Sequence, residues 1–288
     1  MTEPSLVTLT DVCAAAERRG ICVPAFDTGG GNPDFIRSVL EVCREHDAVA
    51  LFIAWAGSAR NFGFSALARL VASLAAEAGV IAALQLDHAH DEADVRAAVG
   101  AGFSAVMLDW SEEPFEENVE QTANAVALAH QAGVSAEGAL GALGRGGEGE
   151  PTDPDEAARF VEATGIDVLT PSVGNRHGCR GFTVPLDWGL IGRLRATVNV
   201  PMALHGGSGI AMEDVRRAAG FGFRKVNVAT RLHLTYDGAV KAYIRENPDH
   251  GWFRWSAAGR DALKSLITEY VTGLSLEGTA TDSKRSET

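Results

Sequence analysis

The 288-residue chain lacks the signatures of several protein classes. Its four cysteines include no Cys-x-x-Cys pair, which argues against a disulfide framework or a thiolate metal site and favours a reducing, cytoplasmic environment. Nowhere do about 18 uncharged apolar residues run together. The amino terminus has no basic segment followed by an apolar one. We therefore expect neither a transmembrane helix nor export.

Positive charge is also scarce. The chain has 25 Lys and Arg residues against 38 Asp and Glu, a net charge of −13. Proteins that bind nucleic acid or anionic membranes present clustered Lys and Arg, so both partners are disfavoured. What the chain does contain is 46% hydrophobic residues, which is typical of a globular protein with a packed core.

Eight short apolar runs recur along the chain, at residues 21–27, 48–55, 81–88, 104–110, 134–141, 166–173, 200–206 and 224–230. The segments between them, such as 33–46 and 115–133, have apolar residues at helical spacing. Runs that are apolar throughout are typical of parallel strands buried on both faces. Eight strand–helix units predict an α/β fold, a (β/α)8 TIM barrel, with a doubly wound open sheet as the alternative.

The length fits a single barrel domain over residues 1–278. Residues 250–271 carry a helical apolar stripe, which predicts an additional C-terminal helix that covers the barrel or a neighbouring subunit. Residues 279–288 are polar and lack the apolar side chains that would offset the entropy of ordering, so we predict a disordered tail there.

Polar residues cluster at the carboxyl ends of the predicted strands: Asp27, Asp87, His88, Asp109, Glu137, Asn175, His177, His205, Asn227 and Thr230. In a barrel these ends meet on one face, which is where barrel enzymes hold their catalytic residues. Residues far apart in sequence are therefore expected to converge at one mouth.

Three of these residues, His88, His177 and His205, have the type and number of ligands that a catalytic zinc takes, with one position left open. Each histidine alone is more simply explained as a hydrogen-bonded core or loop residue, but three at one mouth favour a metal site. The other five are interpreted as structural or surface residues: His46, His90, His130, His233 and His250.

Two glycine-containing segments follow the last two predicted strands. HGGSG covers residues 205–209, and NVAT covers 227–230 directly before a helical segment. Glycine lets backbone N–H groups approach a ligand, and a helix N-terminus favours an anion. The segments predict a phosphate site, although a tight turn alone also favours glycine.

Taken together, these motifs resemble those of the class II, zinc-dependent ketose-bisphosphate aldolases, which include fructose-bisphosphate and tagatose-bisphosphate aldolases. The resemblance spans nearly the whole chain. Its motifs here are PAFD (24–27), LQLDHAHDEADVRAAVGAGFSAVMLD (84–109), SAEGALGALGRGGEGE (135–150), VGNRHG (173–178), LHGGSGI (204–210), KVNVAT (225–230) and GAVKAYIRENP (238–248).

The resemblance implies a role for each matching residue. His88, His177 and His205 match the ligands of one Zn²⁺ per subunit, and Asp87 matches the catalytic acid/base, with orientation of His88 as its alternative role. Segments that hold the phosphate and hydroxyl groups of dihydroxyacetone phosphate match Gly178, Gly206, Gly207, Ser208, Asn227, Val228, Ala229 and Thr230. Asp109 and Glu137 are candidates for orienting the metal ligands. A monovalent cation near the phosphate and a homodimer or homotetramer are also implied.

The chain departs from the family pattern at several positions. Ala139 stands where relatives have a second carboxylate, so an alternative metal position is expected to be lost. Asp27 replaces the Asn of many relatives at the substrate end, and residues 52–55 lack the usual Ser or Thr. The loop that carries a proton-abstracting Glu is shortened to residues 144–154, where Glu148 or Glu150 takes that role or the loop is simply a solvated acidic one.

Three functions remain open at this point. The first is a zinc-dependent aldolase that uses dihydroxyacetone phosphate, or a close analogue, and an aldehyde acceptor. The second is a lyase or epimerase that forms a metal enolate from another phosphorylated intermediate. The third is a catalytically impaired, aldolase-like partner subunit, suggested by Ala139 but disfavoured by the retained histidines.

Overall fold

The computed structural model describes residues 6–142, 144–145, 149–181 and 184–274, so the predicted tail at 279–288 lies outside the described residues. Ten strands are assigned in these ranges: β1 (Val23–Asp27), β2 (Ala50–Trp55), β3 (Ala82–Ala89), β4 (Ala105–Leu108), β5 (Ser135–Leu140), β6 (Gly144–Arg145), β7 (Val168–Pro171), β8 (Arg176–His177), β9 (Met202–Leu204) and β10 (Phe223–Val228). Eight of them close a parallel barrel in the order β1-β10-β9-β7-β5-β4-β3-β2, while β6 pairs with β8. The predicted TIM barrel is confirmed.

Helix α1 (Leu9–Arg19) precedes β1, and the other helices follow barrel strands: α2 (Pro33–Glu45), α3 (Ala56–Phe62), α4 (Phe64–Ala78), α5 (Glu92–Ala101), α6 (Phe115–Gln131), α7 (Pro154–Thr164), α8 (Trp188–Thr197), α9 (Met212–Ala219), α10 (Thr230–Glu246) and α11 (Trp252–Gly273). Local signals explain several ends. Asn32 caps α2 ahead of Pro33, and Gly102 ends α5 in the left-handed conformation.

The amino-terminal half of the barrel interior is filled by small and branched apolar side chains. They form one cluster: Ala25, Leu51, Ile53, Ala83, Ala105, Val168 and Ala203 from the strands with Leu9, Val12 and Cys13 from α1. Helix α1 therefore closes this end of the barrel. Polar side chains on the inward faces of the strands lie above this floor, toward the carboxyl ends.

The predicted C-terminal helix is α11, and it covers the barrel. It packs against α10 and α2 and buries Leu263, Ile267 and Tyr270. The Tyr270 ring meets Phe26 of β1 edge to face, with centroids 6.2 Å apart. Within the described ranges, no helix has both the length and the apolar character needed to span a bilayer.

Candidate metal and substrate site

Asp87 and His88 are consecutive residues of β3, yet both side chains reach the barrel mouth. Alternation would send neighbours to opposite faces of a strand. The register between β3 and β4 shifts between Leu86 and Ala89, and His88 has a φ of +53°, a left-handed conformation uncommon outside glycine. This irregularity turns the His88 ring into the mouth beside Asp87.

The other two histidines come from the loops after β7 and β9. His177 lies on β8, whose pairing with β6 ties together the loops that follow β5 and β7. His205 follows β9 and is fully buried, and its carbonyl accepts a hydrogen bond from the Asn175 amide at 3.2 Å. Asn175 thus holds the backbone of His205 in position.

The three histidines converge on one point. Their ligand atoms all lie within 4.8 Å of one another, and Nδ1 of His205 is 3.2 Å from Nε2 of His88. Two nitrogens bound to one tetrahedral zinc at 2.0–2.1 Å would lie about 3.3 Å apart. The separation in this chain therefore fits a shared divalent metal.

Carboxylates fix which nitrogen of two rings faces the metal position. His88 Nδ1 lies 2.5 Å from Asp109 Oδ2, and His205 Nε2 lies 2.9 Å from Glu137 Oε1. With those nitrogens as donors, the lone pairs of His88 Nε2 and His205 Nδ1 face each other, an arrangement that a bound cation stabilises. Such carboxylate–histidine pairs are typical of metal sites.

Electrostatics favour the same arrangement. Burial works against ionisation of Asp109, but the His88 hydrogen bond and charge, with the Ser111 hydroxyl, outweigh it and hold the pKa of Asp109 well below its ordinary value. Burial lowers the pKa of His205 and the nearby Lys225 charge lowers it further, although Glu137 opposes both. A neutral imidazole is the form that binds a metal.

Glu137 accepts hydrogen bonds from four side chains inside the barrel. Besides His205, these come from Thr170 at 2.6 Å, Gln85 at 3.0 Å and Lys225 at 2.8 Å. Glu137 and Lys225 are fully buried. Burial would raise the pKa of Glu137, but the Lys225 charge and the His205 hydrogen bond hold it well below its ordinary value. Glu137 thus orients His205 as an ionised group.

Asp87 lies beside the histidines. Its Oδ1 accepts a hydrogen bond from the Asn227 amide at 3.1 Å, and its Oδ2 is 4.0 Å from His88 Nε2. Asn227 is 5% exposed, and its Oδ1 has no hydrogen-bond partner among the described residues. A buried hydrogen-bond acceptor without a partner is costly, so Asn227 Oδ1 is suited to accept a hydrogen bond from a hydroxyl group of a ligand.

The glycine loop after β9 packs tightly on its neighbours. Gly206 has a φ of +70°, and a Cβ there would lie 2.2 Å from the Arg176 carbonyl oxygen. A Cβ on Gly207 would meet Val226 at 2.4 Å. The Ser208 hydroxyl accepts the Arg231 N–H in the first turn of α10 at 3.1 Å, so this loop and that helix N-terminus form one surface.

Other predicted residues take varied positions. Gly178 has a φ of +75°, and the Val228 side chain packs in the core, which leaves only its backbone for a ligand. Ala139 is buried in β5. Glu150 is exposed, and Glu148 lies outside the described residues.

Asp27 has a partner that the sequence analysis missed. Its Oδ1 accepts the Gly29 N–H at 2.6 Å and lies 3.0 Å from His233 Nε2, although His233 had been assigned outside the site. His233 is three residues after Thr230, one turn into α10, and that spacing was the available signal. Lys225 and Gln85 were missed as well, and their inward alternation with Asn227 and Asp87 was the signal there.

Comparison with known proteins agrees with these observations. The family model described as fructose-bisphosphate aldolase class-II matches residues 7–279. The YdjI aldolase from Escherichia coli K12 superposes with a TM-score of 0.82 at 28% identity, over 96% of this chain and 99% of that one. The Campylobacter jejuni fructose-bisphosphate aldolase (Fba) shares the fold, with a TM-score of 0.81 at 23% identity over 94% and 96% of the two chains. The chain therefore belongs to the class-II fructose-bisphosphate aldolase family and is an aldolase.

Proposed function

We propose that the protein is a zinc-dependent aldolase that reversibly cleaves a phosphorylated ketose into dihydroxyacetone phosphate, or a close analogue, and an aldehyde. The observation that carries the proposal is the convergence of His88, His177 and His205, with Asp109 and Glu137 orienting two of the rings. One Zn²⁺ per subunit would be held by these three histidines. When bound, the ion supplies Lewis-acid polarisation of the donor carbonyl.

Asp87 moves a proton at the acceptor end of the new bond. In condensation it protonates the aldehyde oxygen, and in cleavage it removes the proton from the corresponding hydroxyl. The Asn227 amide donates a hydrogen bond that fixes the Asp87 carboxylate. Asn227 Oδ1 is then available to accept a hydrogen bond from a hydroxyl group of the donor substrate. Removal of the donor proton is assigned to Glu148 or Glu150 on the shortened loop.

The donor phosphate is assigned to the surface formed by the glycine loop and the start of α10. Its members are Gly178, Gly206, Gly207, Ser208, Asn227, Val228, Ala229 and Thr230, with a monovalent cation near the phosphate. Positive-φ glycines and a helix N-terminus supply backbone N–H groups and a favourable dipole. Asp27 borders this surface through His233.

We also assign the protein to the cytoplasm, as a homodimer or homotetramer. Helix α10 buries only Leu232 within the subunit, while Leu234, Ile244, Trp252 and Phe253 on α10 and α11 are exposed. Exposed apolar side chains grouped on two packed helices support association between subunits. Sedimentation of the purified protein measures the number of subunits.

Donor activation gives the direct test. Wild-type protein supplied with Zn²⁺ and dihydroxyacetone phosphate is expected to exchange the donor C3 proton with solvent, and His205→Ala is expected to abolish that exchange. His46→Ala, which changes an exposed histidine after α2, serves as the matched control. Absence of exchange in the wild type, or exchange that survives His205→Ala, contradicts the proposal.

The two other candidate functions give different results in the same assay. A lyase or epimerase on another intermediate would bind zinc but exchange protons only with a different phosphorylated substrate. An impaired partner subunit, suggested by Ala139 in place of a carboxylate, would neither retain stoichiometric zinc nor exchange. The intact histidine cluster disfavours this last candidate.

Asp87→Asn is predicted to separate the two halves of the reaction. Loss of a positioned acid/base costs about 10²- to 10⁴-fold in rate, so carbon–carbon cleavage is expected to fall by that factor. Donor proton exchange is expected to fall much less, because Asp87 acts on the acceptor oxygen. Equal losses in both assays, together with loss of bound metal, would assign Asp87 to orienting His88 instead.

A further inference from the structure

Trp55 ends β2 at the rim of the mouth, with 51% of its surface exposed. Leu51 and Ile53 pack inside the barrel, and alternation along the strand directs Trp55 to the same face. In the β2–β3 ladder Trp55 is the direct partner of Asp87. The register therefore places Trp55 beside Asp87, the proposed acid/base, at the ends of neighbouring strands.

The indole occupies a defined place. It lies over Gly57 in the first turn of α3, where a Cβ would come within 2.4 Å of the ring, so only glycine accommodates it. The Trp55 carbonyl accepts the Ser58 hydroxyl at 2.8 Å. Phe62 of the same helix lies over Gly31 in the same manner, at 2.5 Å from a Cβ. The two aromatic rings thus lie against glycines of α3 and of the loop after β1.

Charge is unevenly distributed around Trp55. Asp27, Asp87 and Asp109 follow or end β1, β3 and β4, so carboxylates flank Trp55 on both sides. Arg60 of α3 lies 3.6 Å from Asp94, which partly offsets its charge. The glycine loop and the start of α10 follow β9 and β10, which lie beyond β1 from Trp55. A second phosphate beside Trp55 would therefore lie among carboxylates, which is unfavourable.

We propose that Trp55 is the wall of the acceptor subsite and that the acceptor is an uncharged aldehyde with an apolar alkyl or aryl group. The inference rests on the proposed function. Neighbouring strands lie about 4.8 Å apart, so an aldehyde whose oxygen reaches Asp87 places a substituent of two to four carbons against the indole. Burial of that substituent on the aromatic face favours the longer, uncharged acceptors.

The experiment measures kcat/KM for condensation of dihydroxyacetone phosphate with acetaldehyde, propanal, butanal and glyceraldehyde 3-phosphate. In the wild type each added methylene is expected to raise kcat/KM about two- to fourfold, and butanal is expected to exceed the phosphorylated aldehyde about tenfold or more. Trp55→Ala is expected to remove the rise of kcat/KM with alkyl chain length, and Trp55→Phe is expected to retain part of that rise. Ile81→Ala, at an exposed apolar residue directly before β3 and thus at the opposite end of the barrel from the mouth, is the control.

Other outcomes overturn the inference. A wild type that prefers the phosphorylated aldehyde, or a Trp55→Ala variant that keeps the slope of the series, contradicts it. A Trp55→Ala variant that changes the number of subunits in sedimentation while keeping that slope assigns the indole to a subunit contact. Donor proton exchange in the wild type distinguishes this failure from failure of the proposed function, since exchange needs no acceptor.

Discussion

Glu137 connects the metal position to a buried ion pair. Its carboxylate accepts hydrogen bonds from His205, Thr170, Gln85 and Lys225 inside the barrel, where Glu137 and Lys225 are both fully buried. A buried ion pair contributes little net stability, but removing one partner leaves an uncompensated charge. Lys225 therefore holds in place the carboxylate that orients a metal ligand.

Lys225→Met is predicted to lower the free energy of unfolding of the metal-free protein by about 3–5 kcal/mol. The double variant Lys225→Met, Glu137→Gln is expected to be more stable than the single one, because the buried charge is gone. Urea unfolding measures both. The control Lys241→Met breaks an exposed pair with Asp237, and its cost is expected to stay below about 1 kcal/mol. Equal losses of unfolding free energy in Lys225→Met and Lys241→Met would contradict the assignment of Lys225 and Glu137 as a buried ion pair.

The Asp27–His233 pair predicts a pH-dependent stability. The Asp27 hydrogen bond raises the pKa of His233 above its ordinary value, against the opposing effect of burial. A raised folded-state pKa contributes stability that is present below the unfolded value, about 6.5, and is lost as pH rises through the folded value. The Tm difference between wild type and His233→Gln, wild type minus variant, is thus expected to be larger at about pH 5.5 than at about pH 8.5. A difference that grows with pH would contradict the assignment.

Among the elements, the glycine loop after β9 and helix α10 decide the shape of the proposed phosphate surface. Gly206 adopts a left-handed conformation against the Arg176 carbonyl. Ser208 caps the Arg231 N–H, which joins the loop to the helix. A change in the loop is therefore expected to affect donor binding before it affects the metal.

Gly206→Ala is predicted to raise the KM for the phosphorylated donor and to destabilise the fold by about 1–3 kcal/mol, because the added Cβ is both strained and crowded. Gly238→Ala lies in α10 with nothing within 4 Å of the added Cβ, and it is expected to be neutral or stabilising. Donor-exchange kinetics and thermal unfolding measure both effects. Equal behaviour of the two variants would argue against a tight loop.

The elements that follow from periodicity were predictable, and those that depend on irregular backbone were not. All eight barrel strands lie within the predicted apolar runs to within one residue, because strands buried on both faces carry a continuous apolar pattern. The bulge at His88 and the short pairing of β6 with β8 leave no such pattern. Motif residues such as His205 were predictable, whereas the His233 contact depends on how α10 docks against β1.

At the scale of the whole molecule, the net charge of −13 restricts how a phosphorylated substrate is captured. The summed field of such a protein repels a dianion at long range. We expect attraction to come instead from nearby groups, namely the proposed divalent metal, the backbone N–H groups of the glycine loop and the N-terminus of α10. Substrate capture is therefore expected to depend most on a metal held by three histidines.

X-ray absorption of the zinc-loaded protein tests that claim most directly. The expected spectrum has three imidazole nitrogens at about 2.0–2.1 Å and one further light ligand, and metal analysis of the same sample is expected to give one zinc per subunit. His177→Ala is expected to remove one imidazole contribution, while His46→Ala leaves the spectrum unchanged. A wild-type spectrum without imidazole scattering, or one that His177→Ala does not alter, would contradict the account.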